Sequence, residues 1–386
     1  ATIGDYNETA GRGISHSNYV CMDGLRKIGD PIFAQYLYLS YGNNTAGIRG
    51  EIMDADPEGI SSEVQEVIDE KGPLDLESKM LTGFGFAALR DGKKHPSTSG
   101  VNARNTNRDF AMYFGVSIYH GHMDALNLYI DAFGLNMTPD LGYPNDTGTD
   151  PNRLQWVSST MSHNTVVVDG NNQIRRRVAA YPSHFDDSGR VKVMDIDASD
   201  AYAQTSAYRR TLVMVEAEDE VSYGVDFFRV VGGDDHLFSF HSQSDNIAEY
   251  EGLTLIPQKD ASGKFVGTYA GAGVNWGPDP KTDINSWDVD NLQYPVGSTW
   301  LYDVRRAALP ARKFAVDFEV SDFRRVLPSA AGLHLRMTQL NDFTLDEVAI
   351  AKGNPPQRSQ NAIPYLEYVL ARRSGKNLDS LFTTVF

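Results

Sequence analysis

A single cysteine, Cys21, in 386 residues excludes an internal disulfide and any cysteine-built metal site, so a metal in this chain must be held by histidine and carboxylate. Cations are also in short supply. The 35 Lys and Arg face 51 Asp and Glu, a formal net charge of −16, which disfavours nucleic acid or an anionic membrane as a partner. An acidic ligand is then compatible only with a local basic cluster. No run approaches the roughly 18 apolar residues of a membrane-spanning helix. The opening ATIGDYNETAGRG does not have the form of a signal peptide, and the chain as given is expected to be soluble. What is present, 41% hydrophobic and 11% aromatic residues, suffices for the cores of two or three domains and rules out a disordered or small disulfide-stapled protein.

The hydrophobic pattern changes along the chain. DGLRKIGDPIFAQYLYLSYGN places Leu25, Ile28, Ile32, Phe33, Tyr36, Leu37 and Leu39 near a 3.6-residue period, with Pro31 where a first helical turn tolerates it. EGISSEVQEVIDEKG predicts a second amphipathic helix, capped by Ser61 or Ser62 and stopped at Gly72-Pro73. From about residue 83 short β-rich runs take over: GFGFAALR, DFAMYFGVSI, ALNLYIDAFG, HNTVVVDG, RVKVMDIDAS, YRRTLVMVE, VSYGVDFFRVV and HLFSFHSQ. Strands at that spacing predict an antiparallel sandwich. Residues 245–300 predict long loops, after which LHLRMTQL and YLEYVLARR resume regular structure. The expected fold class is α+β: residues 1–95 are the end of a helical domain with its linker, and residues 96–386 are a large antiparallel β-sheet domain. The closing LDSLFTTVF reads as an apolar strand without a turn-forming finish, so the chain is expected to be a piece of a longer protein, truncated at its C-terminus.

Candidate chemistry is concentrated in Tyr119-His120-Gly121-His122-Met123-Asp124, then Thr138-Pro139-Asp140-Leu141-Gly142-Tyr143-Pro144, then Ser162-His163-Asn164-Thr165. His120 and His122 share a face on a strand but can diverge in a loop to serve different partners. Neutral imidazole and carboxylate suit zinc, and three protein ligands with an open fourth position are a common arrangement. His122, Asp140 and His163 can supply such a set. The same residues also read as loop caps bonded to backbone, with Asp140 the turn residue before Gly142. Asp124 is expected to support the HxH loop by hydrogen bonding. Arg175-Arg176-Arg177 is the densest basic run, and guanidinium forks suit carboxylate and sulfate, although such a run also serves as a solvated surface. His236 and His241, five apart and so on opposite faces of a strand, read as structural histidines.

HGHMDALNLYIDAFGLNMTPDLGYP followed by SHNTVVVDGNNQ resembles the heparinase II/III-like polysaccharide lyases, over about residues 80–245. The resemblance implies an N-terminal α/α toroid, here only its end, joined to a large antiparallel β-sandwich. It also implies that His122, Asp140 and His163 hold a zinc ion that mainly braces the sheet beside the cleft. By position His120 matches the residue that faces substrate and assists catalysis, and Tyr143 a substrate contact in the next loop, so these two are the catalytic candidates. The implied reaction is β-elimination at a uronic acid, in which the carboxylate beside C5 must be neutralised while a base takes the C5 proton and an acid protonates the leaving oxygen at C4. In relatives the proton work falls to toroid residues upstream of the HxH motif, beyond the reach of this sequence, which leaves the base unassigned. His16 and Tyr19 in SHSNY are the local candidates for carboxylate binding or acid–base work.

The implied function is therefore a polysaccharide lyase (a carbon–oxygen lyase) cleaving an acidic polysaccharide, with glycosaminoglycan preferred. Alginate or a related polyuronate comes second, and an upstream toroid segment of the same protein is the expected partner. The rivals are a non-catalytic, zinc-stapled carbohydrate-binding sandwich and a glycoside hydrolase using a carboxylate pair. The resemblance implies a periplasmic or secreted location.

Overall fold

The computed structural model describes residues 17–41, 43–74, 77–91, 108–116, 121–133, 135–142, 148–175, 180–218, 221–281, 289, 291–308, 312–323, 332–356 and 363–386. Two compact units emerge, a small one spanning 11–77 with 93–106, and a large one made of the remainder.

The small unit is helical: α1 (Ser17–Ile28), α2 (Pro31–Ser40) and α3 (Gly59–Lys71). The first predicted helical run is broken in two. Gly29 adopts φ +74, and Asp30 caps α2 by accepting the Ile32 N–H at 2.9 Å, so Pro31 opens a new helix. The cap expected at Ser61 or Ser62 lies elsewhere: α3 starts at Gly59, whose N–H donates to Asp56, while Ser61 Oγ donates to the Thr45 carbonyl. An earlier carboxylate satisfied the first turn and freed the serine to tie down a neighbouring loop. The expected stop at Gly72 holds, with φ +76. Met22, Leu25, Leu37, Ile48, Ile60 and Val64 form this unit's core.

The large unit is built from antiparallel strands. Its first sheet runs in sequence order through β1 (Lys79–Leu81), β2 (Phe86–Asp91), β3 (Arg108–Tyr113), β4 (Asn127–Ala132) and β5 (Leu135–Asn136). There follow β6 (Val166–Val168), β7 (Tyr181–Asp186), β8 (Val191–Asp197), β9 (Ala207–Glu218), β10 (Val221–Val231), β11 (Asp235–His241) and β12 (Asn246–Glu251). The chain closes with β13 (Leu255–Pro257), β14 (Leu301–Ala307), β15 (Lys313–Glu319), β16 (His334–Leu340), β17 (Glu347–Gly353), β18 (Leu366–Ser374) and β19 (Asp379–Val385). An eight-stranded sheet has the order β12-β15-β16-β19-β10-β9-β8-β7, and a six-stranded sheet the order β13-β14-β17-β18-β11-β6.

These two sheets form the sandwich. Alternation along β9 and β10 sends Tyr208, Arg210, Leu212, Met214, Asp226, Phe228 and Val230 inward. Phe238 of β11 stacks on Phe382 of β19 at 5.6 Å between ring centroids, and Phe240 meets Phe318 at 5.8 Å. The five-stranded sheet lies against the same inner face, where Gly224 leaves room for Phe110. A Cβ there would stand 2.2 Å from that ring. On the far side of the six-stranded sheet, Trp156, Val157 and Met161 pack on Leu366, Tyr368 and Leu370. Gly353 has no Cβ to occupy the space taken by the Trp156 and Tyr368 rings. Trp156 anchors an irregular segment there, with Nε1 donating to the Asn354 carbonyl at 2.8 Å. That segment, a π-helical turn at Arg153–Val157 and a 3-10 turn at Thr160–Ser162, delivers His163 to the interior.

Candidate metal centre

Three separate loops bring His122, Asp140 and His163 together. His122 follows β3, Asp140 follows β5, and His163 precedes β6. All three side chains are buried, at 1%, 3% and 0% exposure. His122 Nδ1 stands 3.0 Å from Asp140 Oδ1 and 3.1 Å from His163 Nε2, and His163 Nε2 lies 3.4 Å from Asp140 Oδ2.

The hydrogen bonds around the cluster decide which atoms are available. His163 Nδ1 is 2.7 Å from the Ser159 carbonyl, which can only accept, so Nδ1 carries a proton and Nε2 is the ring atom turned toward the cluster. Asp140 Oδ1 accepts from the Gly142 N–H at 2.9 Å, while Oδ2 has no hydrogen-bond partner. Asp140 thus fills both roles read from the sequence, turn residue and carboxylate of the cluster. A buried carboxylate oxygen without a hydrogen-bond partner, beside two imidazole nitrogens, is a place where a cation would satisfy all three groups. Zinc–nitrogen bonds of about 2.0–2.1 Å at tetrahedral angles set ligand atoms roughly 3.3 Å apart, the spacing found here. The residues therefore fit a metal. Burial acts to raise the Asp140 carboxyl, but His122 and His163 outweigh it and hold it well below the usual carboxylate range. Asp124, buried beside them with Oδ1 unpartnered and Tyr129 Oη 3.4 Å from Oδ2, is pushed up by burial and by Asp140.

The supporting network was not legible as such. Thr160 Oγ1 donates to the Met123 carbonyl and accepts the Gln173 N–H, so it ties the His122 loop to the segment of His163. The Gln173 amide grips both backbone groups of Ala125, and Asn127 Oδ1 accepts the Asn164 N–H at 2.7 Å. The nearest signal for these was the polar run after Val168, NNQ, which reads as an ordinary turn.

The remaining candidates are distributed differently. His120, Tyr143, Arg176, Arg177 and His16 lie outside the described residues. Arg175 is half-buried on the loop after β6, and Tyr19 is exposed on α1 of the helical unit. His236 is buried with Nδ1 against Ser380 Oγ and Nε2 against the Gly232 carbonyl. His241 donates from Nε2 to the Pro139 carbonyl at 2.7 Å.

Burial lowers the affinity of both these histidines for a proton, His241 to about 4. In the unfolded chain each titrates near 6.5. Between about pH 6.5 and 4 the unfolded state therefore binds more protons, so stability is full above 6.5 and is lost as pH falls toward 4. For His241 alone the loss reaches about 3 kcal/mol at the bottom of the window. Urea unfolding across that range should show the decline, and His241→Gln should flatten it. An equally steep profile in the variant would remove His241 as its cause.

An antiparallel sandwich with an interior two-histidine, one-aspartate cluster built from loops defines a β-protein with a candidate structural metal. The model of the family "Heparinase II/III-like, C-terminal" matches residues 112–324, more than half of the sequence and inclusive of His122, Asp140 and His163, and the chain belongs to that family. Among solved structures, heparan sulfate lyase HepC from Pedobacter heparinus is similar at 13% identity and a TM-score of 0.46, over 92% of this chain and 41% of its own. The heparinase III BT4657 gene product is similar at 13% identity and a TM-score of 0.48, with the same two coverages. A further heparinase III structure gives 12% identity, a TM-score of 0.45, and coverages of 81% and 37%. The chain thus spans about two fifths of the length of these structures. No curated protein matches it.

Proposed function

We propose that this chain is the β-sandwich part of a polysaccharide lyase that cleaves a uronic-acid-containing polysaccharide by β-elimination and leaves unsaturated uronate ends. A glycosaminoglycan is the preferred substrate, ahead of alginate or another polyuronate. The observation that carries the reading is the buried His122–Asp140–His163 cluster inside the segment that defines family membership. In this proposal zinc, held by those three side chains, supplies the positive charge that ties their loops together. Full burial of the cluster supports a structural rather than a substrate-polarising role. His120 is then the residue facing substrate, Tyr143 a contact in the next loop, and Arg175, Arg176 and Arg177 offer guanidinium groups to carboxylate or sulfate. His16 and Tyr19 are minor candidates for the same task. The proton-transfer base belongs to an upstream toroid, the small helical unit that holds α1, α2 and α3 is the end of that domain, and the protein works in the periplasm or outside the cell.

The same burial also favours a second reading, a metal-stapled carbohydrate-binding sandwich without catalysis. Absorbance of unsaturated uronate separates the two. The chain is assayed alone and with its upstream sequence restored, against heparan sulfate, chondroitin sulfate, hyaluronan and alginate. The lyase reading expects absorbance when the upstream part is present. It also expects His120→Ala to abolish the signal while metal content and melting temperature stay near wild type. Silence in both preparations with zinc bound would leave the binding sandwich.

A further inference from the structure

Two of the three metal-bearing loops are held by one side chain that belongs to neither. Arg210 projects from β9 into the interior and is fully buried. Its Nη1 donates at 2.6 Å to the carbonyl of Leu126, on the turn after His122, and at 2.6 Å to the carbonyl of Asn164, directly after His163. Its Nε and Nη2 close on Asp226 of β10 at 2.8 and 2.7 Å, and the guanidinium lies over the Phe228 ring at 4.8 Å. All three nitrogens of the group are thus engaged, and its orientation is fixed by a fully buried carboxylate. Leu126 meanwhile holds φ +62, a left-handed conformation unfavourable for leucine, and its carbonyl is one of the two that Arg210 captures.

A buried ion pair is a poor source of stability, because desolvation offsets most of the attraction and apolar residues of similar volume often serve as well. A planar fork can do what those residues cannot: it holds two carbonyls from loops far apart in sequence at one fixed spacing. We propose that Arg210 is a positioning residue of the metal centre, oriented by Asp226, and that it sets the separation of the His122 and His163 loops to the spacing a metal requires. This rests on reading His122, Asp140 and His163 as a metal site.

The test measures zinc affinity by competition with a chromogenic chelator, together with thermal unfolding of the metal-free forms. The double variant Arg210→Met/Asp226→Leu removes the fork while keeping the interior filled. It should bind zinc about ten- to hundred-fold more weakly, the usual effect of losing support behind the ligands, with a metal-free melting temperature close to wild type. Arg210→Lys keeps the charge beside Asp226 but lacks the fork, and should also lose affinity. Phe382→Leu, a core change between the sheets, should lower the melting temperature and leave affinity unchanged. Zinc affinity of the folded double variant within about three-fold of wild type would overturn the proposal, as would affinity that merely follows melting temperature across all variants. Should the double variant not fold, Arg210→Lys decides by the same criterion. Zinc binding by wild type and not by His163→Ala upholds the metal site independently, whereas a wild-type chain that takes up no zinc removes both the site and the positioning role.

Discussion

Asp226→Ala should destabilise the large unit by about 3–5 kcal/mol, the cost of stranding a buried charge whose partner has been removed. Arg210 and Asp226 are both fully buried, and Asp226 is the carboxylate that closes on the guanidinium through two bonds. Its other bonds go to carbonyls, which offer partial charge but no compensating unit charge. Water cannot reach the stranded cation without opening the packing of Tyr208, Leu212 and Phe228 around it. Equilibrium unfolding in urea measures the effect. A loss below about 1 kcal/mol, the range of exposed ion pairs, would show that the interior is wetter than the structure implies.

Removal of zinc from the proposed centre is the second large expected effect. Zinc that binds the folded chain and not the unfolded one stabilises it by about 4 kcal/mol at a free concentration of 1,000 times Kd. Chelation should lower the melting temperature correspondingly, and readdition of zinc should restore it. His163→Ala should abolish that dependence, because it removes the Nε2 lone pair and leaves the Asp140 carboxylate buried with one histidine fewer. Identical melting curves with zinc and with chelator, together with no zinc by elemental analysis, would leave the cluster as a hydrogen-bonded knot without a metal. The scale of the expected loss follows from the cluster's place, since it joins the stretch after β3, the stretch after β5 and the 3-10 turn before β6.

How much of this could be read in advance depended on the range of the interactions. The enrichment of YRRTLVMVE and VSYGVDFFRVV in β-branched and aromatic residues is local, and it predicts strands that the structure forms as β9 and β10. EVAIAKG gave no such signal, because β17 is covered on both faces and has no polar side to mark the period. YPSHFD was hidden for the opposite reason: β7 is an exposed edge strand carrying Pro182 at its start. The break between α1 and α2 was written in Gly29-Asp30-Pro31 but was outweighed by the apolar period running across it.

The amino-acid sequence by itself determined that a metal here must be bound by imidazole and carboxylate, that the later part of the chain is antiparallel β, and that the motifs around His122, Asp140 and His163 resemble one family. These follow from residue identity, alternation and spacing, all of which act over a few neighbours. Only the tertiary structure decided that β19 lies between β10 and β16, that Gly224 yields its space to Phe110, and that Ser159 fixes the tautomer of His163. It alone joined Arg210 and Asp226 behind the loops of His122 and His163. Each of those outcomes pairs groups distant in sequence whose contact depends on strand register and on exclusion of water, and neither quantity is a property of any single segment.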